Sequence, residues 1–367
     1  MRILNTIKYF EPSKGGMESV AKNLLIGIKQ RRKNSKITVA CNNHMKASKD
    51  RVEYYLGIKI LRYRSFFLKS QPISLCFKSL NNEIKNADIV HHHYPFPTME
   101  FALLKNIDAL RKKKFIITWH ANIQNSRWSW IERFYNPLII KLLEAADEII
   151  VTSPQLLEYS NILQIFKNKI AIIPLSFEPH NLTILPKELD QESIPKLLFV
   201  GKLRTYKGLM YLLEAINGLN VNLDIVGNGE EENNIREYIK NNNLNKVVHL
   251  YTNVNDEELV NFYKSSDIFV LPSVNEAEAF GVVQLEALSY GLPVINTNLK
   301  SGVPFVSLNN ITGLTVDPAN KNQLRNAILK LTSDKDLYNE FSKNAIKRSE
   351  SFTNDKMVES YLNLYEN

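Results

Sequence analysis

Two carboxylates, Glu278 and Glu286, stand eight residues apart around the step Phe280-Gly281. The segment follows the apolar run 268–271, a pattern that predicts a strand, a loop holding Glu278, and a helix with Glu286 two turns inside it. A helix N-terminus at Gly281 would offer free backbone N–H groups and the positive end of a dipole, which suit a phosphate. Carboxylates would repel that phosphate but accept hydrogen bonds from sugar hydroxyls. The local chemistry therefore predicts a nucleotide-sugar site.

Basic residues upstream would complete such a site. The segment 201–208 follows another predicted strand and contains Lys202 and Lys207. Both lysines could reach a diphosphate, and their charge would stabilise it as a leaving group. A solvent-exposed basic loop is the alternative when this segment is considered alone. Its position at a strand's carboxyl end, with Glu278 and Glu286 downstream, favours the site.

Gly15 and Gly16 follow the first predicted strand and offer backbone amides at the start of a helix. Glycine allows close approach of a phosphate or a sugar, although an ordinary strand-to-helix turn has the same pattern. The two glycines match neither the GxGxxG fingerprint nor a Walker loop, so a dinucleotide or ATP site lacks its motif.

Histidines end two further predicted strands. In the run 91–93, alternation sends His91 and His93 to one face, and core or wall residues are favoured over a metal site because no carboxylate is paired with them. His120 follows the next strand and could hydrogen-bond a sugar or assist proton movement, whereas a lone histidine is more often structural.

Composition sets the broad class. The chain has 367 residues and a formal net charge of +8, which is long enough for two ordinary domains. Its basic residues favour an anionic ligand or an anionic membrane surface over nucleic acid, since no nucleic-acid motif accompanies them. They concentrate in the N-terminal half, at Arg31-Arg32-Lys33, Arg62, Arg64, Lys69 and Arg111-Lys112-Lys113-Lys114.

Cysteine usage and hydropathy bear on location. Cys41 and Cys76 lack the spacing of a metal or redox motif. No apolar run approaches the ~20 residues needed to span a bilayer, and the N-terminus lacks the apolar core of a signal peptide. We therefore expect a cytoplasmic protein, with peripheral attachment to the inner face of the membrane left open.

Strands alternate with helices along the whole chain, which predicts βαβ units and parallel sheets. The first series ends near residue 174, and a polar, proline-containing stretch at 181–195 is expected to be an interdomain linker. The predicted architecture is α/β, with one domain over 1–180 and a second over 196–352. Ligands of open α/β sheets bind at the carboxyl ends of the strands, so a cleft between two such sheets is expected.

These motifs together resemble the retaining GT-B glycosyltransferases of family four (group 1), over nearly the full length. The specific pieces are Glu278 with Glu286, the family's E-x7-E motif, and the segment 201–208. The supporting pieces are Gly15-Gly16, the segment 90–95, Trp119-His120, the segment 146–154 and the ending Ser351-Phe352-Thr353. The resemblance implies two Rossmann-like domains facing each other across a cleft, and a last helix, 353–367, that completes the N-terminal, acceptor-binding domain.

The resemblance also implies residue roles. Lys202 and Lys207 would hold the donor's diphosphate, which the Gly15-Gly16 loop would approach from the N-terminal domain. Glu278 would contact the transferred sugar, near the backbone amides of Phe280 and Gly281. Glu286 would bind the ribose hydroxyls, and His120 would lie beside the reacting sugar.

The family's chemistry implies retention of configuration, no metal ion, and no cofactor beyond the nucleotide-sugar substrate. The likeness is strongest to enzymes of bacterial surface-polysaccharide or lipopolysaccharide assembly and to their mannosyltransferase-like branch. It favours GDP-mannose as donor and a saccharide or lipid-linked acceptor. Two positions depart from the family pattern: Lys202 stands where arginine is usual, which loses the bidentate fork, and Ala121-Asn122 stands where Ser-Asp is frequent.

Several alternatives remain open at this stage. A UDP-hexose or UDP-N-acetylhexosamine could replace GDP-mannose. A GT-B phosphorylase or sugar-phosphate synthase would act on soluble substrates. A non-catalytic nucleotide-sugar-binding module would have little need of both glutamates and both lysines. Acceptor contacts are expected in the loops 63–75 and 122–130, where Trp128 and Trp130 could stack on a saccharide or simply pack against a helix.

Overall fold

The computed structural model describes residues 1–13, 15–45, 49–68, 71–74, 77–122, 129–178 and 184–367. These residues form two compact units: unit 1 comprises Met1–Ser176 with Asn354–Asn367, and unit 2 comprises Phe177–Thr353. Three residues singled out in the sequence, Lys69, Cys76 and Trp128, lie outside the described residues, as do residues 181–183 of the expected linker and the side chain of Trp130.

Unit 1 begins as an alternation of strands and helices. Its strands are β1 (Arg2–Thr6), β2 (Lys36–Asn42), β3 (Arg51–Tyr55), β4 (Ile58–Tyr63), β5 (Phe66–Leu68), β6 (Gln71–Ile73), β7 (Ile89–Tyr94), β8 (Lys114–Trp119), β9 (Glu148–Val151) and β10 (Ile170–Ile172). Its helices before unit 2 are α1 (Gly16–Arg31), α2 (Leu80–Asn86), α3 (Pro97–Leu104), α4 (Ile107–Leu110), α5 (Ser129–Ala145), α6 (Pro154–Glu158) and α7 (Asn161–Ile165).

The main sheet of unit 1 has the order β10-β9-β8-β7-β1-β2-β4-β3. Neighbouring strands pair in parallel except β3 with β4. Strand β7 is buried at every residue, as expected where helices cover both faces of a parallel sheet. From β1 the chain builds outward first through β2 and later through β7. The carboxyl ends of β1 and β7 therefore flank a topological switch point, where open α/β sheets bind ligands.

Unit 2 holds a second sheet. Its strands are β11 (Lys196–Val200), β12 (Asn222–Val226), β13 (Val248–Tyr251), β14 (Ile268–Val270), β15 (Val294–Thr297) and β16 (Gly313–Val316). Its helices are α8 (Leu209–Ile216), α9 (Glu232–Asn241), α10 (Asp256–Ser265), α11 (Val283–Ser289), α12 (Val303–Val306), α13 (Lys321–Ser333) and α14 (Lys335–Ser349).

The six strands of unit 2 are all parallel, in the order β13-β12-β11-β14-β15-β16. This is the 3-2-1-4-5-6 order of a doubly wound Rossmann sheet. Its switch point lies between β11 and β14. The loops that follow these two strands are the ones that carry Lys207 and Glu278, so the topology alone brings the two segments together.

The last helix, α15 (Asn354–Glu366), returns to unit 1 and packs on α1. The guanidinium of Arg31 pairs with Asp355 at 2.6 Å and that of Arg32 with Glu366 at 2.6 Å. The hydroxyls of the buried Tyr361 and Tyr365 form hydrogen bonds to the sheet, with Thr118 and His91. Two members of the basic cluster at 31–33 are thus engaged in holding the C-terminal helix.

The structure differs from the expected elements at four places. The pairs β3–β4 and β5–β6 and the strand β16 were not predicted; β3 and β16 lie at sheet edges, and β5 and β6 have three residues each. Helix α11 begins at Val283, so Glu286 lies in its first turn and not two turns inside it.

The expected linker also differs in its packing. Its described residues, 184–195, belong to unit 2: the backbone N–H of Lys187 donates to Ser342, and its ammonium reaches the carbonyl oxygens at the end of α10. Among the described residues, no helix is long and apolar enough to cross a membrane.

The close approach of α1 to α15 yields a stability prediction. A methyl group at Gly27 would lie 2.5 Å from Cγ2 of Val358. Alanine normally favours a helix interior over glycine by about 1 kcal/mol, but overpacking costs about 1–3 kcal/mol. We expect Gly27→Ala to lower the free energy of unfolding, measured by urea denaturation. In the background of Val358→Ala the same change should be neutral or stabilising. Equal effects in both backgrounds would contradict this packing.

Candidate active site

The loops after β11 and β14 contact each other at the switch point of unit 2. The backbone N–H of Val274 donates to the carbonyl of Tyr206 at 2.8 Å. Gly208 has φ +69°, and a Cβ there would overlap the carbonyl oxygen of Pro272. Glycine is therefore required at position 208 both by the backbone conformation and by the neighbouring loop.

Lys207 and Glu278 form a buried ion pair between these two loops. Lys207 Nζ lies 2.5 Å from Glu278 Oε2, and both residues are 7% exposed. The hydroxyl of Ser273 donates to the same carboxylate oxygen at 3.0 Å. A buried charge pair is tolerated only with such compensation, because each charge has lost its hydration. The pair places one cation and one carboxylate at the carboxyl edge of the sheet, next to each other.

Glu286 is fixed by an aromatic partner that the sequence patterns did not indicate. The hydroxyl of Tyr263 donates to Glu286 Oε2 at 2.7 Å, and the ring of Tyr290 stacks on that of Tyr263 at 5.4 Å. Burial raises the pKa of the Glu286 carboxyl, and the hydrogen bond from Tyr263 opposes part of this rise. The side chain is still partly exposed, so its carboxylate can accept hydrogen bonds from ligand hydroxyls.

The other donor-site candidates of unit 2 differ in burial. Phe280 is 3% exposed, and its ring packs against Phe305 and Phe352. Gly281 has φ +73°. Lys202 is exposed on the loop after β11, unlike the buried Lys207.

In unit 1, Gly15 and Gly16 lie where β1 leads into α1. Gly15 is the N-cap of α1 in an extended conformation, and Gly16 is its first residue. The preceding loop is held by the guanidinium of Arg62, which donates to the carbonyl of Glu11, and by the pair Lys22–Glu11 at 3.1 Å. Arg62 is 3% exposed, so its charge anchors this loop and is not part of a basic surface.

The histidines form a buried hydrogen-bonded cluster at the carboxyl ends of β7 and β8. His93 Nδ1 lies 2.8 Å from His120 Nε2, and their rings stack at 5.1 Å. Asn5 from β1 contacts His93, while His92 faces the opposite side toward Thr6 and Glu100. Burial lowers the pKa of His91 and of His120 to about 3 and that of His93 well below its usual value.

These imidazoles are consequently neutral near pH 7. His93 and His120 point a nitrogen at each other and not at a shared point where an ion could sit. Over the described ranges, no group of three or more His, Cys, Asp or Glu residues could hold a metal ion.

Comparison with known proteins identifies the family. The model of the glycosyl transferases group 1 matches residues 182–348, and that of glycosyltransferase family 4 matches residues 14–179. The O-antigen chain mannosyltransferase C of Escherichia coli is 28% identical over 100% of this chain and 98% of its own length. The D-rhamnosyltransferase WbpZ of Pseudomonas aeruginosa is 29% identical over 73% of this chain and 70% of its own length.

The chain belongs to the group 1, family 4 glycosyltransferases. The structure of the Anabaena protein HepE in complex with UDP matches 100% of both chains with a TM-score of 0.75 and 15% identity, a likeness that shows the fold. The expected GT-B fold of two Rossmann-like α/β domains is confirmed. Both family models and both relatives identify the protein as a glycosyltransferase.

The ion pair yields the first prediction on activity of this glycosyltransferase. We expect Lys207→Ala to lower kcat by about 100-fold or more, because a cation beside the departing diphosphate is lost. The variant should also melt at a lower temperature, since Glu278 is left buried without its partner. Adding Glu278→Gln should recover much of the melting temperature but none of the activity. Lys321→Ala, at an exposed lysine of the same unit, serves as the matched control and should retain wild-type turnover.

The environment of Glu286 yields a prediction on pH dependence. Because burial raises the folded-state pKa of Glu286, its ionisation destabilises the fold, and stability falls as pH rises from the unfolded pKa through the folded one. Glu286→Gln keeps the acceptor for Tyr263 and removes the charge. We expect it to raise the melting temperature at pH 7 but not at pH 4. Donor affinity, measured by calorimetry, should fall at pH 7. Wild-type affinity in this variant would exclude Glu286 from the donor site.

Proposed function

We propose that this protein is a retaining hexosyltransferase that moves mannose from GDP-mannose to a saccharide or lipid-linked saccharide in surface-polysaccharide assembly. The observation that carries the donor site is the buried Lys207–Glu278 pair at the switch point between β11 and β14. The choice of mannose is supported by the full-length similarity to the O-antigen chain mannosyltransferase.

The proposed donor complex uses the residues of unit 2 in distinct roles. Lys207, with Lys202 from the exposed part of the same loop, binds the diphosphate. The arriving phosphate competes with Glu278 for the Lys207 ammonium, so that the Glu278 carboxylate becomes available to a sugar hydroxyl. Glu286, held by Tyr263, accepts hydrogen bonds from the ribose. Backbone groups of Phe280 and Gly281 follow the same strand end. In unit 1, the Gly15-Gly16 turn is proposed for backbone contact with a phosphate, because glycine allows close approach.

The transfer step needs no covalent intermediate on the protein. The acceptor oxygen bonds to the anomeric carbon on the face from which the diphosphate leaves, the bond from that carbon to the phosphate oxygen breaks, and the acceptor proton passes to the leaving phosphate. The products are the glycoside and the nucleoside diphosphate. Lys207 stabilises the negative charge that develops on the departing oxygen. His120 contacts the reacting saccharide as a neutral imidazole, since its pKa of about 3 keeps the ring uncharged near pH 7.

In the proposed reaction, Lys207 and not a divalent cation neutralises the charge on the leaving diphosphate. Lys207 already lies at the centre of the β11–β14 edge, which is the position where such charge is needed. We therefore expect transfer to proceed without a metal ion. Turnover that is lost with EDTA and restored by Mg²⁺ would contradict this part of the proposal.

A UDP-sugar donor is the second candidate, and the solved HepE complex with UDP favours it. The transferred sugar also differs among relatives, since one is named for mannosyl and another for D-rhamnosyl transfer. Neither Lys207 nor Glu286 would discriminate between nucleobases, because the proposed contacts are to the phosphates and the ribose.

We also propose peripheral attachment to the inner membrane surface, through fewer basic residues than the sequence suggested. Arg31 and Arg32 are paired with α15, Arg62 is buried, and the ammonium of Lys113 donates to the carbonyl of Lys85. Arg64 and Lys112 are exposed and remain candidates for contact with anionic lipid headgroups or a lipid-linked pyrophosphate.

The first experiment is a thermal-shift screen of the purified protein against GDP, UDP, ADP and their sugar conjugates, with and without Mg²⁺. A ligand that binds only the folded state raises the free energy of unfolding, by about 2.7 kcal/mol at 100 times its Kd, and the melting temperature rises with it. We expect the largest shift with GDP and GDP-mannose. The Glu286→Gln variant should lose most of that shift and serves as the test that the ligand occupies the proposed site.

The outcomes separate the candidates. A shift confined to UDP conjugates would replace the donor and keep the transferase. Transfer to a free sugar phosphate would favour a soluble synthase or phosphorylase, whereas transfer that requires anionic vesicles carrying a lipid-linked saccharide would support the membrane-surface role. Donor binding without transfer to any saccharide or lipid-linked acceptor would favour a non-catalytic binding module.

A further inference from the structure

A chain of buried polar side chains in unit 1 ends at His120. The side-chain amide nitrogen of Asn5 lies 2.9 Å from His93 Nε2, and His93 Nδ1 lies 2.8 Å from His120 Nε2. Asn5 and His93 are at most 1% exposed. The second nitrogen of His120, Nδ1, is buried and has no hydrogen-bond partner among the residues that the structure describes. The chain therefore begins on β1, crosses β7, and ends at one unsatisfied polar atom beyond β8.

The direction of these hydrogen bonds is decided at His91. Its Nδ1 lies 2.6 Å from the hydroxyl of Tyr365 on α15, and its Nε2 lies 2.7 Å from Thr118 Oγ1. Burial raises the pKa of Tyr365 well above its usual value, so the phenol keeps its proton. A buried hydroxyl that fails to donate destabilises the fold. The Tyr365 hydroxyl therefore donates to His91 Nδ1, which must be unprotonated, and His91 Nε2–H donates to Thr118.

Asn5 then faces two acceptors. Its amide nitrogen is 3.4 Å from the unprotonated His91 Nδ1 as well as 2.9 Å from His93 Nε2. The amide N–H group of Asn5 suits this position because it can donate to these acceptors, whereas the amide oxygen would face the lone pair of His91 Nδ1. His93 Nε2 thus accepts a hydrogen bond from Asn5. A neutral imidazole carries one proton, so His93 holds it on Nδ1 and donates it to His120 Nε2.

We propose that Asn5 and His93 are positioning residues that fix His120 as the tautomer protonated on Nδ1. His120 then presents an N–H donor, and not a lone pair, to an oxygen of the saccharide substrate. This inference rests on the proposed function for the identity of the ligand but not for the tautomer. The C-terminal helix takes part because Tyr365 supplies the hydroxyl that sets the direction of the network.

The tautomer can be measured directly in the full-length protein. The chain has seven histidines, so selective ¹⁵N labelling of histidine followed by a long-range ¹H–¹⁵N spectrum at pH 7.5 is tractable. The signals of His120 are assigned by their loss in His120→Asn. We expect a pyrrole-type ¹⁵N shift at Nδ1 and a pyridine-type shift at Nε2. The opposite pattern in the wild-type protein would overturn the proposal.

Variants along the chain test the positioning role. Asn5→Leu keeps the approximate shape and removes the donor, so His120 should become a mixture of tautomers and kcat should fall about tenfold, the worth of one hydrogen bond, with a smaller change in KM. His93→Asn places an amide near the position of the lost Nδ1 and should restore donation to His120. His93→Leu should not. His92→Gln is the matched control: it is equally buried in β7 but faces Thr6 and Glu100, so the His120 spectrum should be unchanged.

The two readouts separate this inference from the proposed function. If Asn5→Leu folds and leaves the His120 tautomer unchanged, the positioning role is wrong. If the tautomer changes while kcat does not, the role of the N–H donor in transfer is wrong. If the wild-type protein shows no transfer at all, the proposed function fails, and the wild-type spectrum still decides whether the network sets the tautomer.

Discussion

The buried ion pair between Lys207 and Glu278 is the interaction on which the donor half of the molecule depends. Two opposite charges that have left water need each other, and here each also holds a loop of the switch point in place. Under the proposed function, the same two groups bind the nucleotide-sugar. That proposal implies that they satisfy each other before the ligand arrives, and that a diphosphate enters by replacing Glu278 as the anionic partner of Lys207.

In unit 1, the buried network that ends at His120 consists of neutral groups and not of a charge pair. Three imidazoles, an amide and two phenols lie almost without contact with water, and a charge on any of the imidazoles would be costly. The hydrogen-bond network is consistent when each ring holds a single proton in a defined place. A buried network of this kind is valuable only when it is complete. Two of its atoms have no partner among the described residues, Oδ1 of Asn5 and Nδ1 of His120, and the latter lies at the carboxyl edge of the sheet, where open α/β sheets bind ligands.

The C-terminal helix links stability to this network. Helix α15 closes over α1 through a glycine contact and two exposed ion pairs, which individually contribute little. Its buried face carries Tyr361 and Tyr365 to Thr118 and His91. The arginines at 31 and 32, which suggested a membrane-binding surface in the sequence, serve this closure. Through His91, Tyr365 on α15 thus helps to set the proposed tautomer of His120.

Much of the fold could be predicted from the sequence because parallel α/β sheets leave strong local signals. Strands such as β11 and β14 consist mainly of apolar residues, and α1 and α5 are long periodic helices. The edge strand β3 was missed because its residues are mostly exposed, which weakens the alternation, and the edge strand β16 has only four residues. The start of α11 was placed too early because Gly281 ends a loop and does not begin the helix.

The sequence by itself determined the family, the two Rossmann-like units and the candidate residues Lys207, Glu278, Glu286 and His120, because those depend on local spacing and on a motif. The tertiary structure alone decided which groups are partners. Lys207 meets Glu278, Glu286 meets Tyr263, and Asn5 meets His93 because strand order brings distant segments side by side. Spacing along a chain does not encode that order, and neither the ion pair nor the direction of a hydrogen-bond network exists until the strands are paired.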